Sequence, residues 1–408
     1  MILRPLYTNQ LKAFVDKPLV KIITGIRRCG KSTVLHLLKE DLIESGIKEE
    51  QIVLINFESF RFSEYKTAPK LYDYVKSCLS GSSRYFLLLD EIQEVTEWER
   101  AINSFLVDFN VDIYITGSNS HMLSSELATL LAGRYVEIPV YTLSYLEYLD
   151  FKEKLCGNKG LGDDSFEGYL RMGGFPVIHT SDFDTESAYK VVRDIYSSVI
   201  LRDTVQRFGI RDVELLERVV RYAFDNIGNT FSGKSVADFF KSQQRKVDIN
   251  TIYNYLYALQ GAFILYRVPR YDIKGKEILK TQEKYYVSDL SLIYSTMGFR
   301  DRMISGFLEN IVFLELKRRG YSVYVGKFGN REVDFVAKKP GKRIYIQVAY
   351  KLESQQTVDR EFTPLLDIND HYPKYVITMD PFWKDSIQGI QHITLPKFLM
   401  GEPCQITE

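Results

Sequence analysis

One stretch of the sequence decides the fold of the first domain: Gly25-Ile26-Arg27-Arg28-Cys29-Gly30-Lys31-Ser32-Thr33. Its first eight residues fit the pattern G-x-x-x-x-G-K-[S/T], whose glycines allow backbone N–H groups to curl around a polyphosphate. In this pattern the lysine brings a mobile charge to the β- and γ-phosphates, and the hydroxyl after it is a ligand for Mg²⁺. A chance glycine-rich turn is the alternative, but the stretch lies where a strand pattern ends and a helix pattern begins. Residues 25–33 are therefore predicted to bind a nucleotide, with Lys31 in a catalytic role and Ser32 as a metal ligand.

Short apolar runs alternate with amphipathic helical patterns on both sides of this stretch. The pattern predicts strands at 19–24, 51–57, 85–89, 112–116 and 135–140, with helices at 31–44, 69–79 and 97–109. Strands that alternate with helices indicate right-handed crossovers and a mostly parallel sheet covered on both faces. The first third of the chain is therefore predicted to be an α/β domain.

Two acidic residues follow the most apolar of these strands. Asp90 and Glu91 come directly after Tyr85-Phe-Leu-Leu-Leu89, at the edge where open α/β sheets place their ligands. Asp90 is predicted to hold Mg²⁺, and Glu91 to act as the base or orienter of an attacking water. The alternative is a pair of acidic residues that begins an exposed turn.

Polar residues near the next two strands give weaker signals. Asn119 or Ser118, after the predicted strand 112–116, would lie near the γ-phosphate and sense it; an ordinary helix cap is the alternative. Arg134 precedes the fifth strand, at the rim of the sheet, where it is a candidate arginine finger. A solvated surface arginine is the alternative, since a finger usually acts on the nucleotide of a neighbouring subunit.

The composition excludes several classes of protein. Lys plus Arg and Asp plus Glu both number 53, so the chain is not a generally basic nucleic-acid coat, although a local patch is compatible with this balance. The 45% hydrophobic content excludes a disordered chain. The four cysteines form no CxxC pair, and no run approaches the roughly 18 apolar residues of a membrane helix. We therefore expect a soluble, cytoplasmic protein without a membrane partner.

The motifs together resemble those of the AAA+ ATPases, and in particular the prokaryotic AAA_14/DUF4143 type. The resemblance rests on 25–32, 88–93, 116–119 and 131–134, and it is extended by Gly173-Gly-Phe-Pro176, Glu309 and 332–335. It implies ATP as the nucleotide, which the phosphate loop alone does not encode. It also implies a P-loop core at 1–142, a helical lid at 143–210, a winged-helix module at 211–286 and a nuclease-like α/β domain at 287–408. A lid arginine that senses the nucleotide would be Arg171, Arg193 or Arg202, or would be absent.

The middle of the chain carries a basic segment. Residues 241–280 contain eight Lys and Arg against three acidic residues, in a pattern of helix, turn, helix and a hairpin across Gly275. A basic hairpin of this kind is suited to duplex DNA phosphates. A packing module with solvated lysines is the alternative.

The C-terminal domain lacks residues that a metal-dependent nuclease of this type needs. Such nucleases hold Mg²⁺ with acids on adjacent strands and use a lysine to position water. Glu309 and Asp334 are present, but Gln347 stands in place of the second acid and Ala349 in place of the lysine. Lys351 lies two residues further along the same predicted strand face. The domain is therefore predicted to have kept the fold and lost cleavage.

The leading functional prediction is an ATP-binding and ATP-hydrolysing switch. It would use ATP and Mg²⁺ and pass the nucleotide state to a region that contacts duplex DNA or a protein partner, in a chain that can form homo-oligomers. An ATP-regulated, Mg²⁺-dependent nuclease or defence effector is one alternative. A scaffold that binds nucleotide without turnover is the other.

Overall fold

The computed structural model describes residues 2–81, 83–120, 131, 133–156, 165–181, 183–279, 282–298, 303–383 and 386–401. The chain divides into two compact units. The first comprises Met1–Thr142 with Gly261–Phe263, and the second comprises Leu143–Gln260 with Ile264–Glu408.

The first unit is built on a parallel sheet of five strands in the order β2-β3-β4-β1-β5. This confirms the predicted parallel α/β core. Each predicted strand end lies within one residue of the observed strand end. The strands are Val20–Thr24 (β1), Ile52–Asn56 (β2), Tyr85–Asp90 (β3), Val111–Gly117 (β4) and Tyr135–Pro139 (β5).

Among the described residues of this unit, the helices that accompany the sheet are Pro5–Lys12 (α1), Lys31–Glu44 (α2), Ala68–Cys78 (α3) and Trp98–Asp108 (α4). Short 3₁₀-helical segments lie at Glu49–Gln51, Phe60–Tyr65 and Ile92–Glu94. Every residue of β3 is buried, because its apolar run is covered by core side chains from α3 and α4 such as Leu71 and Phe105. The strand order places β4 between β1, which leads into the phosphate loop, and β3, which ends at Asp90.

Helices form the first part of the second unit. They are Tyr145–Cys156 (α5), Ser165–Met172 (α6), Pro176–His179 (α7) and Thr185–Ser198 (α8), followed by a π-helical segment at Val199–Gln206. The predicted interruption at 156–164 falls mostly on residues outside those described. The turn at Gly173-Gly174 approaches Asp289: a Cβ at Gly173, where φ is +69°, would lie 1.9 Å from Asp289 Oδ1, and Gly174 N–H donates to Asp289 Oδ2 at 2.8 Å.

A small antiparallel sheet follows, with the order β6-β10-β7. The helices of this region are Val213–Asp225 (α9), Gly233–Ser242 (α10) and Ile249–Gly261 (α11). The strands of this region are Thr230–Phe231 (β6), Leu265–Val268 (β7), Arg270–Asp272 (β8), Glu277–Ile278 (β9) and Glu283–Val287 (β10). The predicted hairpin across Gly275 is present, but its pairing is divided between two sheets. β7 pairs with β10 in this sheet, whereas β8 and β9 pair with each other and leave it.

The last part of the chain contains a sheet of seven strands, which includes β8 and β9. Its strand order is β15-β14-β13-β12-β11-β8-β9. β8 joins it by parallel pairing with β11, because Val325, Gly326 and Lys327 align with Arg270, Tyr271 and Asp272. The further elements are Leu290–Met297 (α12), Ile304–Arg318 (α13), Ser322–Phe328 (β11), Arg331–Lys339 (β12), Lys342–Ala349 (β13), Gln355–Leu366 (α14), Lys374–Thr378 (β14), Gln391–Thr394 (β15) and Leu395–Leu399 (α15).

Lys351 does not lie on the strand face predicted for it. Strand β13 ends at Ala349, and Lys351 is exposed and pairs with Glu353 at 3.3 Å. Across the ranges given above, no helix is long and apolar enough to cross a membrane.

Candidate functional site

The phosphate loop has the backbone that its glycines allow. Gly25 has φ of +147°, and a Cβ there would lie 2.1 Å from the carbonyl oxygen of Val140. Gly30, with φ of +103°, precedes the first residue of α2. Side chains at these two positions would strain the loop, because L-residues rarely adopt such angles. The loop therefore presents its backbone at the point where β1 ends and α2 begins.

The other side chains of the loop divide into buried and outward-facing ones. Ile26 and Cys29 are buried, and Cys29 Sγ lies 3.3 Å from the carbonyl oxygen of Val140. Arg27 pairs with Glu58, and Arg28 is exposed with φ of +68°. The buried pair fixes the loop against the protein, and the predicted nucleotide contacts of Ile26 and Cys29 are therefore contacts of their backbone. Thr33 is half-buried in the first turn of α2.

Lys31 is held inside its own loop. Its Nζ donates to the carbonyl oxygens of Gly25 at 3.1 Å and Ile26 at 3.4 Å, and it lies 3.5 Å from Glu91 Oε1. Only 3% of the lysine side chain is exposed. The structure thus brings the predicted phosphate-binding cation and the predicted water-orienting carboxylate into direct contact.

A polar cluster surrounds Asp90 at the carboxyl ends of the strands. Ser32 Oγ donates to Asp90 Oδ1 at 3.1 Å, and Thr116 Oγ1 donates to the same oxygen at 2.6 Å. Asn56 Nδ2 donates to Asp90 Oδ2 at 3.1 Å. Thr116 also accepts the backbone N–H of Glu91 at 2.8 Å. Both predicted metal-binding residues, Ser32 and Asp90, are therefore neighbours.

The two acidic residues have opposite electrostatic environments. Burial raises the pKa of Asp90, and the hydrogen bonds from Thr116 and Ser32 oppose this rise. Burial also disfavours the charge of Glu91, but the Lys31 ammonium and a hydrogen bond from Gln93 outweigh it and lower the pKa of Glu91. At neutral pH Glu91 is therefore the ionised group that is paired with a cation.

The donor set at this edge fits a magnesium ion. Mg²⁺ prefers oxygen ligands and in nucleotide sites is usually bound through one or two carboxylates, with phosphates and water supplying the rest. The Ser32 hydroxyl and the Asp90 carboxylate supply two such oxygens side by side. Thr116 and Asn56, which both donate to Asp90, would orient that carboxylate toward the ion.

Thr116 and Asn56 were not singled out in the sequence, although each had a signal. Both lie at the carboxyl end of a strand next to β3. Thr116 is the last residue but one of β4, and Asn56 is the last residue of β2. A polar residue that ends a strand beside an acidic one is expected at the same sheet edge. Asn119 and Ser118, which were singled out, are buried just beyond β4.

Arg4 is a further residue that the sequence did not reveal. Its guanidinium donates to the carbonyl oxygen of Cys29 at 2.7 Å and to that of Tyr141 at 2.9 Å, and only 1% of the residue is exposed. Tyr7, over whose ring this guanidinium lies, accepts the Tyr141 N–H through its hydroxyl at 3.1 Å. Arg4 therefore joins the phosphate loop to the chain after β5.

Arg134 lies at the opposite edge of the sheet from the phosphate loop. Its carbonyl oxygen accepts the N–H of Val20, the first residue of β1, whereas the loop follows the last residue of that strand. Four strand residues separate the two edges by about 13 Å. The exposed side chain donates to Leu131 O at 3.3 Å and Asn103 Oδ1 at 3.0 Å. Within one chain, Arg134 is thus not part of the site.

The three candidate sensor arginines all belong to the second unit. Arg171 pairs with Glu167 at 2.5 Å, and Arg193 donates to the carbonyl oxygen of Ser295 at 2.7 Å. Arg202 is half-buried in the π-helical segment. A sensor role for any of them stays a prediction.

Comparisons with known proteins agree with the first unit. Residues 17–149 match the family of AAA domains, and residues 163–302 match a domain of unknown function, DUF8612. An uncharacterized protein of Haemophilus influenzae is 37% identical over 401 residues, which cover 98% of this chain and 99% of the relative. An uncharacterized protein of Methanocaldococcus jannaschii is 30% identical over 82% of this chain and 75% of its own length. The match at 163–302 is to DUF8612, whereas a DUF4143-type region was predicted.

Solved structures of ATPases are similar at a lower level. The Walker-type ATPase of Pyrococcus abyssi has a TM-score of 0.48 and 14% identity, over 72% of this chain and 95% of that one. AMPPCP-bound DnaA from Aquifex aeolicus has a TM-score of 0.33 and 13% identity, over 62% of this chain and 86% of that one. Function is therefore argued below from the residues of this chain.

Proposed function

We propose that this chain, which belongs to one family with the uncharacterized proteins of Haemophilus influenzae and Methanocaldococcus jannaschii, is an ATP-hydrolysing molecular switch. The observation that carries the proposal is the convergence of Lys31, Ser32, Asp90 and Glu91 at one edge of the parallel sheet. The AAA domain match over residues 17–149 supports the same reaction class.

Each residue has a distinct part in the proposed reaction. Backbone N–H groups of residues 26–31 bind the phosphates, and Lys31 moves from its carbonyl partners to the β- and γ-phosphate oxygens. Glu91, which is ionised, accepts a hydrogen bond from the attacking water and orients it toward the γ-phosphorus. Ser32 and Asp90 would hold Mg²⁺, which would supply neutralisation of the phosphate charge.

The experiment is phosphate release from ATP by the purified full chain and by the variant Lys31→Ala. We expect the variant to lose at least about 100-fold in turnover, because charge stabilisation in such sites is worth that much. The matched control is Lys39→Ala, which removes a lysine of the same helix that pairs with Glu49. Equal phosphate release by the wild type and Lys31→Ala would contradict the proposal. ATP binding without any release from the wild type would favour the scaffold alternative.

The partner that we propose for the switch is duplex DNA, bound through the basic segment 241–280. Arg245 pairs with Asp212 and Glu214, and Arg267 pairs with Glu283, so these arginines are engaged within the protein. Lys241, Lys246, Lys274 and Lys276 are exposed and supply the positive charge that phosphates require.

The DNA proposal is tested by duplex binding measured over a range of salt concentrations. We expect the double variant Lys274→Ala/Lys276→Ala to bind more weakly and to reduce the salt slope by up to about two. Lys48→Ala, an exposed lysine of the first unit, is the control and is expected to leave the slope unchanged. Binding that does not depend on salt, or no binding by the wild type, would contradict this part of the proposal.

A further inference from the structure

A buried lysine in the second unit lies among three carboxylates. Lys284 Nζ, on β10, is 2.9 Å from Glu309 Oε2, 2.9 Å from Glu332 Oε1 and 3.2 Å from Asp334 Oδ1. Glu309 comes from α13, and the two other carboxylates come from β12. Only 2% of the lysine side chain is exposed. We call these four residues the ammonium cluster.

The charges of the ammonium cluster support one another. Burial alone would lower the pKa of Lys284, but the surrounding carboxylates outweigh it and raise that pKa well above its usual value. Burial raises the pKa of Glu309, the Lys284 ammonium group opposes this rise, and repulsion from Asp334 adds to it. Tyr286 donates its hydroxyl to Glu309 Oε2 at 2.8 Å. The Lys284 ammonium group is thus surrounded by the oxygens of three carboxylates at 2.9, 2.9 and 3.2 Å.

The nuclease-like arrangement predicted from the sequence would place a divalent metal at Glu309 and Asp334. Those oxygens already accept hydrogen bonds. Lys284 donates to Glu309 Oε2 and to Asp334 Oδ1, and the Val348 N–H donates to Asp334 Oδ2 at 2.9 Å. Mg²⁺ and similar ions need ligand oxygens at about 2.0–2.6 Å, a position that the ammonium group occupies.

Gln347, which stands in place of the second acid, is also committed elsewhere. Its Oε1 accepts the backbone N–H of Asp334 at 2.7 Å, and its Nε2 donates to Glu361 Oε2 at 3.0 Å. With Lys284 in place, no three His, Cys, Asp or Glu side chains in the described part of the chain are arranged to hold a metal ion. The residues present therefore do not fit a divalent metal.

Access does not explain this lack of fit. A cavity of about 680 Å³ borders the cluster and is lined by Glu309, Glu332, Asp334, Gln347 and Glu361. The glutamate Glu332 keeps 37% of its side chain exposed. Small ions can reach the carboxylates from this side, so the obstacle to a metal is the ammonium group itself.

We propose that Lys284 is the resident cation of this carboxylate site, that its ammonium group excludes divalent metal from the wild-type protein, and that its removal opens a site for Mn²⁺ or Mg²⁺. The proposal is independent of nucleotide hydrolysis. It also gives a physical reason for the predicted loss of phosphodiester cleavage: the metal position is occupied by a side chain.

The test is Mn²⁺ binding by the nucleotide-free full chain, measured by electron paramagnetic resonance. Lys284→Met removes the charge and keeps the length of the side chain, and Lys284→Arg keeps the charge. We expect Lys284→Met to gain one Mn²⁺-binding site, and the double variant Lys284→Met/Asp334→Asn to lose that site again. The affinity of the new site should be at least about 100-fold above any Asp334-dependent Mn²⁺ binding by the wild type. Lys284→Arg is expected to gain none. The Asp334→Asn arm separates this site from Ser32 and Asp90.

The proposal is overturned by Mn²⁺ binding by the wild type that Asp334→Asn abolishes. It is also overturned by plasmid nicking by the wild type that Asp334→Ala abolishes, or by a folded Lys284→Met protein that gains no Asp334-dependent site.

Loss of the counter-ion also leaves buried carboxylates unpaired and destabilises the variant. Its melting is therefore measured with and without Mn²⁺, because a ligand that binds only the folded state raises the melting temperature. A rise in Lys284→Met that is absent in the wild type and in the double variant supports the proposal. If Lys284→Met is unfolded without metal, refolding only with Mn²⁺ supports it, and failure to refold in both conditions overturns it.

Discussion

Lys31 Nζ lies 3.5 Å from Glu91 Oε1, so the cation expected to bind phosphate and the carboxylate expected to orient water form a buried ion pair. A nucleotide therefore competes with Glu91 for the lysine. Release of Lys31 toward the phosphates would leave Glu91 with its hydrogen bond from Gln93 and free to accept one from water.

The variant Glu91→Gln separates binding from turnover. We expect ATP hydrolysis to fall about 100-fold or more, because an amide is a poor base, while ATP binds at least as tightly as to the wild type, because Lys31 loses a competing carboxylate. Phosphate release and calorimetric titration measure the two effects. Glu94→Gln, which removes the nearby partner of Lys66, is the control. Wild-type turnover in Glu91→Gln would remove Glu91 from the mechanism.

Thr116 is expected to position both acidic residues of the site. Thr116→Val keeps the shape but removes the donor to Asp90 and the acceptor of the Glu91 N–H, which costs about 1–3 kcal/mol of stability. We expect turnover to fall about tenfold, with a higher requirement for Mg²⁺. Thr116→Ser, which keeps the hydroxyl, should restore both. A magnesium requirement that does not change in Thr116→Val would show that the threonine is structural only.

Arg4 is expected to stabilise the phosphate loop from behind. Arg4→Met leaves the buried carbonyl groups of Cys29 and Tyr141 without this donor, so we expect a loss of about 2–5 kcal/mol in the free energy of unfolding. Weaker ATP binding should accompany it, because the loop loses a contact that fixes its backbone. Denaturant unfolding and nucleotide titration provide the measurements. Arg100→Met, at an exposed pair with Glu97, should change neither.

His179 is expected to make the protein sensitive to acid. Chiefly through burial, its pKa is lowered to about 4, and its Nε2 lies 2.8 Å from the carbonyl oxygen of Gly173. Between pH 6.5 and 4 the unfolded chain binds a proton that the folded chain does not. The contribution of His179 to the free energy of unfolding is thus fully present above pH 6.5. It falls on acidification, by at most about 3 kcal/mol.

The measurement is the urea midpoint at pH 7 and at pH 5 for the wild type and His179→Gln. The wild type should lose more stability between the two pH values than the variant does. His371→Gln, at an exposed histidine, should behave as the wild type. Equal losses in the wild type and His179→Gln would contradict the assignment.

Arg134 is expected to act only between chains, because it lies at the far edge of its own sheet. If it completes the site of a neighbour, Arg134→Ala lowers turnover per chain at protein concentrations where the wild type self-associates, and leaves the dilute rate unchanged. Turnover is measured over a dilution series together with sedimentation. Asn103→Ala, which removes a local partner of Arg134, is the companion variant. Equal turnover by the wild type and Arg134→Ala at all concentrations would exclude a finger.

The sequence predicted the first unit well where local signals and function coincide. The start and end of α2 follow from the motif that precedes it and from its apolar spacing, and β3 follows from four consecutive apolar residues. The residues expected at the nucleotide site, Lys31, Ser32, Asp90 and Glu91, do lie together, because parallel strands bring their carboxyl ends to one edge.

The features that the sequence did not predict depend on distant parts of the chain. Arg4 contacts backbone carbonyl groups 25 and 137 residues away, and backbone acceptors leave no pattern of side chains. Lys284, on β10, contacts a carboxylate on a helix (309) and two on a strand of another sheet (332 and 334), so no spacing within one motif reveals the cluster. Helix α1 has only eight residues, few of them apolar, and its periodicity is too short to recognise.

The departure of β8 and β9 from the small sheet has a consequence for how this region folds. The chain leaves β7, contributes β8 and the edge strand β9 to the seven-stranded sheet, and returns as β10. Neither sheet is therefore formed by one continuous stretch of sequence. Separate melting of either sheet would pull apart the other, which favours a single cooperative transition. Excising the segment from 265 to 287 as an independent hairpin would therefore damage both sheets at once.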